Sequence, residues 1–325
     1  DRISHIAKSL DQPSVDGVNS YFVSMAAKRS VTVAVSGTGG DELFAGYPWF
    51  AAMSLEADRE RKEPVKALLH KGISWAVNKR SVNSFIESKY GKKLELIRAK
   101  TSFIPRYVQQ YHIFGTYGAA KILSSEMKKL TNIGQSPFYD LFHADEIPEA
   151  SIIERVSALC LRHYTQNQLL RDIDATSMAH SLEVRVPLLD YVMADIALSL
   201  PSNVKLNVRG DSPYPAKRTY RDTGAKKILI DVGKGILPED MDLQEKRGFG
   251  MPFDFWLKNH LRDVLEDSLS QKKIVSRGLF DAKEAELVKD NFLAGRIPYV
   301  YPWLLMMVEL WIKEVLESSK SHAKA

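Results

Sequence analysis

The chain has 325 residues, 45% hydrophobic and 26% charged, which is enough for one large domain or two smaller ones. No run of about 18 apolar residues occurs to cross a membrane, and the opening DRISHIAKSLDQPS lacks the apolar core of a signal peptide. One cysteine, Cys160, excludes an internal disulfide or a cysteine metal cluster and points to a reducing, cytoplasmic setting. The net charge of +5 suits an anionic small molecule, and no basic tract interleaved with aromatics points to nucleic acid.

In chain order, residues 17–29 carry Val18, Phe22, Val23 and Ala26 at helical spacing. VTVAV, residues 31–35, is short, β-branched and apolar and ends in SGTGG, the pattern of a buried parallel strand. Residues 51–145 alternate apolar and charged positions, interrupted at Pro64, Gly72, Gly91, Pro105 and Gly134, and read as a series of helices. A long helix is expected over 151–170, further helices over 190–200 and 255–268, and a last one opened by Pro302. The polar tail 317–325 is expected to be flexible. The expected class is α/β and predominantly helical, with a small remnant of parallel sheet in about 1–50 and a helical remainder over 51–316. A lone parallel strand needs neighbours on a sheet, so weaker strands pair with it or the rest of the sheet lies in other sequence.

Three stretches carry chemistry. In Ser36-Gly37-Thr38-Gly39-Gly40-Asp41-Glu42, three glycines in four positions let the backbone turn tightly and bring N–H groups to an anion. Asp41-Glu42 then opens a helix at the ligand edge of an α/β sheet, where a carboxylate beside phosphates can hold Mg²⁺. The plain alternative is a strand-to-helix turn with an acidic cap. In SMAHSLEVRVPLLD, residues 177–190, Glu183 and Arg185 alternate with apolar residues and are expected to be partly buried and paired. The alternative there is a structural ion pair that fixes a loop. Lys246-Arg247-Gly248-Phe249-Gly250 is a basic pair on a glycine-flanked loop, able to put cations over a polyanion, or a solvated turn.

Taken in this order, SGTGGDELFAGY, SMAHSLEVRVPLLD and LPEDMDLQEKRGFGMPFDFWL resemble the synthetase domain of the glutamine-dependent asparagine synthetase family, from about Asp11 to about Trp311. The resemblance implies an adenine-nucleotide alpha-hydrolase (PP-loop) fold and ATP-dependent amide formation through an acyl-adenylate, with ATP and Mg²⁺ as cofactors and a carboxylate as substrate. It implies nucleotide contacts from Ser36, Gly37, Thr38, Gly39 and Gly40, with the Gly37 backbone meeting the adenylate and Asp41 holding Mg²⁺–pyrophosphate. By the same resemblance Glu183 helps remove the amine proton, Lys246 stabilises charge at the reacting centre, and Arg185 supports Glu183.

The sequence departs from the family pattern in three places. Thr38 stands where asparagine synthetases usually have Glu and β-lactam-forming relatives have Tyr, and a hydroxyl there is no general base near neutral pH. Asp172-Ile173-Asp174-Ala175-Thr176 lacks the basic residue often seen before SM. The glutaminase domain with its N-terminal Cys and the SGGxDS phosphate loop do not occur in the 325 residues. The chain begins with Asp, and is expected to be a fragment or split subunit of an asparagine-synthetase-like amidotransferase. The partner is then a complementary N-terminal chain or a second copy. The alternative is a non-catalytic remnant that binds a nucleotide or a partner chain.

Overall fold

The computed structural model describes residues 2–63, 103–131, 133, 147, 150–208, 219–245, 248 and 250–318. These are mostly helical, around one small parallel sheet. Strand β1 (Val33–Val35) pairs in parallel with β2 (Glu183–Arg185), in the register Val33↔Glu183, Ala34↔Val184, Val35↔Arg185. The partner that the lone apolar strand requires is therefore the short EVR segment some 150 residues later in the chain. Both strands end, at their C-terminal sides, on the motifs singled out above.

Three apolar clusters hold the helices. In the first, helices α1 (Ile3–Ser9) and α2 (Gly17–Ala27) pack with the C-terminal helices around Trp303, Tyr21, Phe292 and Leu265. The indole N–H of Trp311 donates to the Leu10 carbonyl at 2.8 Å, tying the last helix to the first. The second joins helix α4 (Pro48–Lys62), Phe103–Tyr111 and Ile152–Leu159 through Phe50, Met53, Tyr107 and Val156. The third is small: Leu43, Phe44 and Ala197, with Leu189 and Leu229 against them. It lies directly beneath the glycine loop.

Several expectations are refined by local chemistry. The helix over 151–170 begins at a full capping box, with Ser151 and Glu154 each bonding the other's backbone N–H. It then widens into ten π-helical residues, Cys160–Leu169, before resuming as Leu170–Met178. Pro105 does not break a helix; it lies in the first turn of Phe103–Tyr111, where its missing N–H has no intrahelical use. Pro302 is likewise in the first turn of Val300–Trp311 but does not open it. The helix at 255–268 is two, Phe253–Lys258 and Arg262–Ser268. Pro64, Gly72, Gly91, Gly134 and residues 319–325 of the tail lie outside the described residues.

The strand VTVAV is not buried as its composition suggests. Val33 and Val35 face solvent, Val35 being 75% exposed. Among the described residues, β1 has a single partner strand and no element layered over that face. Tyr191 and Ile196, on helix Tyr191–Ser199, and Ile236 are also exposed. Exposed apolar surface on a two-stranded edge favours association. Sedimentation velocity is expected to show self-association, or binding of a hydrophobic dye, that Val35→Lys reduces. A monomer at high concentration that binds no dye contradicts this.

Candidate nucleotide site

The loop after β1 is fixed from two sides. The Ser36 N–H donates to the Arg185 carbonyl at 2.8 Å, extending the strand pairing by one residue. The Ser36 and Thr38 hydroxyls lie 2.8 Å apart, and the Thr38 N–H donates to Ser36 Oγ at 3.3 Å. Gly39 adopts φ +99°, and a Cβ there would lie 2.6 Å from Leu189 Cγ. A Cβ at Gly40 would lie 3.1 Å from Leu188 Cδ1. Two of the three glycines thus answer to packing against the PLLD segment that follows β2. Gly37 does not: its backbone is in the ordinary region and a Cβ there would meet nothing within 4 Å among the described residues.

The helix that follows, α3, is a single turn, Gly40–Leu43, shorter than the loop-to-helix pattern suggests. It ends with Ala45 in the left-handed region at φ 54° and the Gly46 N–H donating to the Asp41 carbonyl at 2.8 Å. This turn separates two acids. Asp41 points to Lys226, whose Nζ is 3.0 Å from Oδ2; the side chains are 27% and 17% exposed. Glu42 points inward, is 1% exposed, and accepts a hydrogen bond from the Tyr47 hydroxyl at 2.6 Å. Burial pushes its carboxyl above the usual carboxylate range, against the Tyr47 bond. Ser157 Oγ donates to the Glu42 carbonyl at 2.8 Å, fastening α3 to the helix Ile152–Leu159.

A buried polar chain continues from there. Tyr47 meets Tyr164 edge-on at 6.1 Å between ring centroids. The Tyr164 hydroxyl and Gln168 Nε2 both donate to Asp16 Oδ2, at 3.1 and 2.5 Å. Both donors lie in the π-helical stretch, a form of helix often associated with functional sites. The Asp16 N–H donates to Ser14 Oγ at 3.2 Å, and Ser14 Oγ in turn donates to the buried Asp172.

Glu183 and Arg185 do pair, Nε to Oε1 at 2.8 Å, but at 58% and 66% exposure of their side chains. The expected partial burial is corrected. The two lie on the same face of the sheet as solvent-facing Val33 and Val35 on β1. An ion pair so exposed contributes about 1 kcal/mol or less. The register puts Glu183 at the start of β2, away from the glycine loop, and Arg185 at its loop end. Lys246 and Arg247 lie outside the described residues. The segment leading to them is anchored. Thr219 and Glu245 form an antiparallel bridge, and Arg221 grips Asp242 through two bonds of 2.8 and 3.1 Å. Lys226 lies outside the sequence motifs, and the inward turn of Glu42 to Tyr47 and the spacing role of Gly46, all inside SGTGGDELFAGY, were not marked as such. The acid–tyrosine spacing in DELFAGY is the signal that could have found Glu42, Gly46 and Tyr47.

Among the described residues, no group of three or more His, Cys, Asp or Glu could hold a metal ion, and no helix is long and apolar enough to cross a membrane. The asparagine synthase family model matches residues 1–313. The chain is 30% identical over 273 residues to the glutamine-hydrolysing asparagine synthetase 1 of Bacillus subtilis (strain 168), covering 79% of this chain and 38% of that protein. Against glutamine-hydrolysing asparagine synthetase 3 of the same organism it is 23% identical over 309 residues, 92% of this chain and 40% of the relative. Against the amidase chyE of Penicillium rubens it is 21% identical over 295 residues, 83% and 39%. The chain thus spans about two-fifths of the length of these relatives.

The buried acids set a pH dependence. Burial pushes the Asp172 carboxyl from its ordinary 3.8 up to about 7, against the hydrogen bond from Ser14. The folded chain then holds this proton over a range where the unfolded chain has released it. The associated stability is complete below about pH 4 and is lost as pH rises through about 7. Asp172→Asn, neutral at every pH, is expected to gain stability relative to the parent between about pH 4 and about pH 8. Urea unfolding at the two pH values measures it, and an equal difference at both contradicts the assignment.

Proposed function

This chain belongs to the asparagine synthase family, and from that premise we propose that it forms the nucleotide- and acyl-binding part of an ATP-dependent, asparagine-synthetase-like amidotransferase. The observation that carries this reading is Gly37. Its neighbours Gly39 and Gly40 face Leu189 and Leu188, whereas Gly37 has no left-handed backbone and, among the described residues, no packing contact to require it. A glycine that the protein's own packing does not need, on a loop at the C-terminal end of a parallel strand, suits close backbone approach to a ligand.

The donor set fits a nucleotide-borne ion. Mg²⁺ is commonly held by one or two carboxylates together with substrate phosphates rather than by an all-protein cage. Asp41 offers such a carboxylate, while its neighbour Glu42 is turned inward to Tyr47. Mg²⁺ bound with the phosphates would neutralise charge on the leaving group.

In the reaction so assigned, a substrate carboxylate oxygen bonds to the α-phosphorus of ATP as the bond to the β-phosphate oxygen breaks. Pyrophosphate leaves. An amine then bonds to the acyl carbon, AMP departs, and the amine proton passes to a base. The Gly37 backbone contacts the adenylate, with Ser36, Thr38, Gly39 and Gly40 shaping the loop around it. Asp41 holds the metal–pyrophosphate. Glu183, aligned by Arg185, takes the proton, and Lys246 stabilises charge at the reacting centre. Thr38, hydrogen-bonded to Ser36, orients the loop and is no general base near neutral pH.

The exposed edge at Val33 and Val35 favours a second reading, in which this chain works with a complementary N-terminal chain or a second copy, its solitary form binding nucleotide without turnover. In that reading the SGGxDS loop, which does not occur in these 325 residues, comes from outside them. Both readings meet in one assay. Given Mg·ATP, aspartate and ammonia, the chain alone is expected to release pyrophosphate far below the usual enzymatic range of about 1–1000 per second. Mg·ATP should nevertheless raise its Tm. Turnover within that range contradicts the need for further sequence, and an unmoved Tm contradicts nucleotide binding.

A further inference from the structure

We propose that Ser14 and Asp172 form a proton-operated clasp. While Asp172 is protonated, the segment from Asp11 to Gly17 is held against the helical run from Tyr164 to Asp172; loss of the proton lets the segment come away. The inference does not rest on the nucleotide reading above.

Three observations carry it. First, polar contacts hold the segment on this helical run. Arg171 meets Asp11 Oδ2 at 2.9 Å, Gln12 Nε2 donates to the Asn167 carbonyl at 2.6 Å, and Tyr164 and Gln168 both donate to Asp16. Ser14 sits at the centre, accepting the Asp16 N–H and donating to Asp172. Second, the segment is a strap with fixed ends. The Leu10 carbonyl takes the Trp311 indole N–H, and Val18 and Tyr21 lie in the first apolar cluster. The middle can therefore lift while α1 and α2 keep their places in the core. Third, Asp172 is 1% exposed, and its Oδ1 is buried with no hydrogen-bond partner among the described residues.

The chemistry follows from charge. Protonated, Asp172 is a neutral acid bonded to Ser14. When the proton leaves for solvent, a buried carboxylate remains with one oxygen unbonded, which is costly. The groups that face it add to the cost. Asp16 and Asp11 on the strap are acids, Tyr164 on its own helical run is a phenol, and the cation beside it, Arg171, is bound to Asp11. Of the other elements packed on this helix, α1 and α2 bring His5 and Tyr21, which bond each other, and β2 brings Glu183, which pairs with Arg185. Lifting the strap lets water reach the carboxylate. The closed form then holds its proton up to about pH 7, whereas the open form releases it at the ordinary 3.8. Opening becomes about tenfold more favourable per pH unit between those values and levels off above them. Because polar contacts rather than the apolar core hold the strap, its release is local.

Amide hydrogen exchange on the whole chain tests this. The reporters are the Asp16 N–H, bonded to Ser14 Oγ, and the Leu265 N–H, bonded in the core to the Leu261 carbonyl. From about pH 5 to about pH 7 the protection of Asp16 is expected to fall by about 10- to 100-fold. In Asp172→Asn, which has no proton to lose, most of that fall should disappear. In low urea, Asp16 exchange should hold steady while Leu265 exchange, which needs global unfolding, accelerates. An equal fall in the parent and in Asp172→Asn overturns the inference, as does a urea dependence at Asp16 as steep as at Leu265. Circular dichroism checks the fold of the variant. If Asp172→Asn does not fold, Ser14→Ala decides, read at the Asn19 N–H that donates to the Asp16 carbonyl at 3.3 Å. Its protection at about pH 5 is expected to drop towards the parent's value at about pH 7, and protection unchanged from the parent overturns the inference.

Discussion

A single missing methyl group organises this site. A Cβ at Gly46 would lie 2.0 Å from Asp41 Oδ1 and 2.5 Å from Lys226 Cε. No side chain fits there while the Asp41–Lys226 pair keeps its geometry. Gly46 also closes the one-turn helix α3 by donating to the Asp41 carbonyl. The same residue therefore ends the turn, aims the acid and admits the lysine. The glycine loop upstream obeys a related constraint, since Gly39 and Gly40 press on Leu189 and Leu188. Motifs some 150 residues apart thereby close on one another at the C-terminal ends of both strands.

The two consecutive acids divide the work between site and core. Asp41 faces the loop and meets a cation, whereas Glu42 is committed to the interior through Tyr47 and, along the polar chain, reaches towards Tyr164, Asp16 and Asp172. Buried polar groups are costly unless they are satisfied. A chain of them that spans α3, the π-helical stretch and the N-terminal segment fixes how those elements sit. The loop inherits that rigidity. The Glu183–Arg185 pair is the contrast: solvent-exposed and weakly stabilising, it contributes little to the fold, and its role is chemical or none.

Much of this was legible in the residues. The β-branched VTVAV run, the parallel character of the strand and the helical dominance all follow from local patterning, and the ordered motifs carry the family assignment. Periodicity did not reveal what long-range contacts decide. The strand partner EVR alternates in an extended-looking way, but at three residues nothing in it names VTVAV as its partner. Nothing in VTVAV records that Val33 and Val35 face solvent, so their exposure had to come from the structure. The widening at Cys160–Leu169 has no proline or glycine to mark it; Tyr164 and Gln168 in this stretch bond Asp16. Lys226 was invisible because a lysine on a helix start looks like any solvated charge; only the fold brings it to Asp41. The terminal Asp190 of the second motif is readable in hindsight as a helix cap, its carboxylate accepting the Val192 N–H at 2.9 Å.

The account depends on Asp41 and Lys226 behaving as one electrostatic unit, held by Gly46 before any ligand arrives. A double-mutant cycle on stability measures that directly. Asp41→Asn, Lys226→Met and the double variant would be unfolded in urea at neutral pH and moderate salt. The predicted result is a coupling energy of about 1 kcal/mol or more, as for contacting and partly buried charges. Additivity of the two substitutions to within about 0.3 kcal/mol would contradict the account.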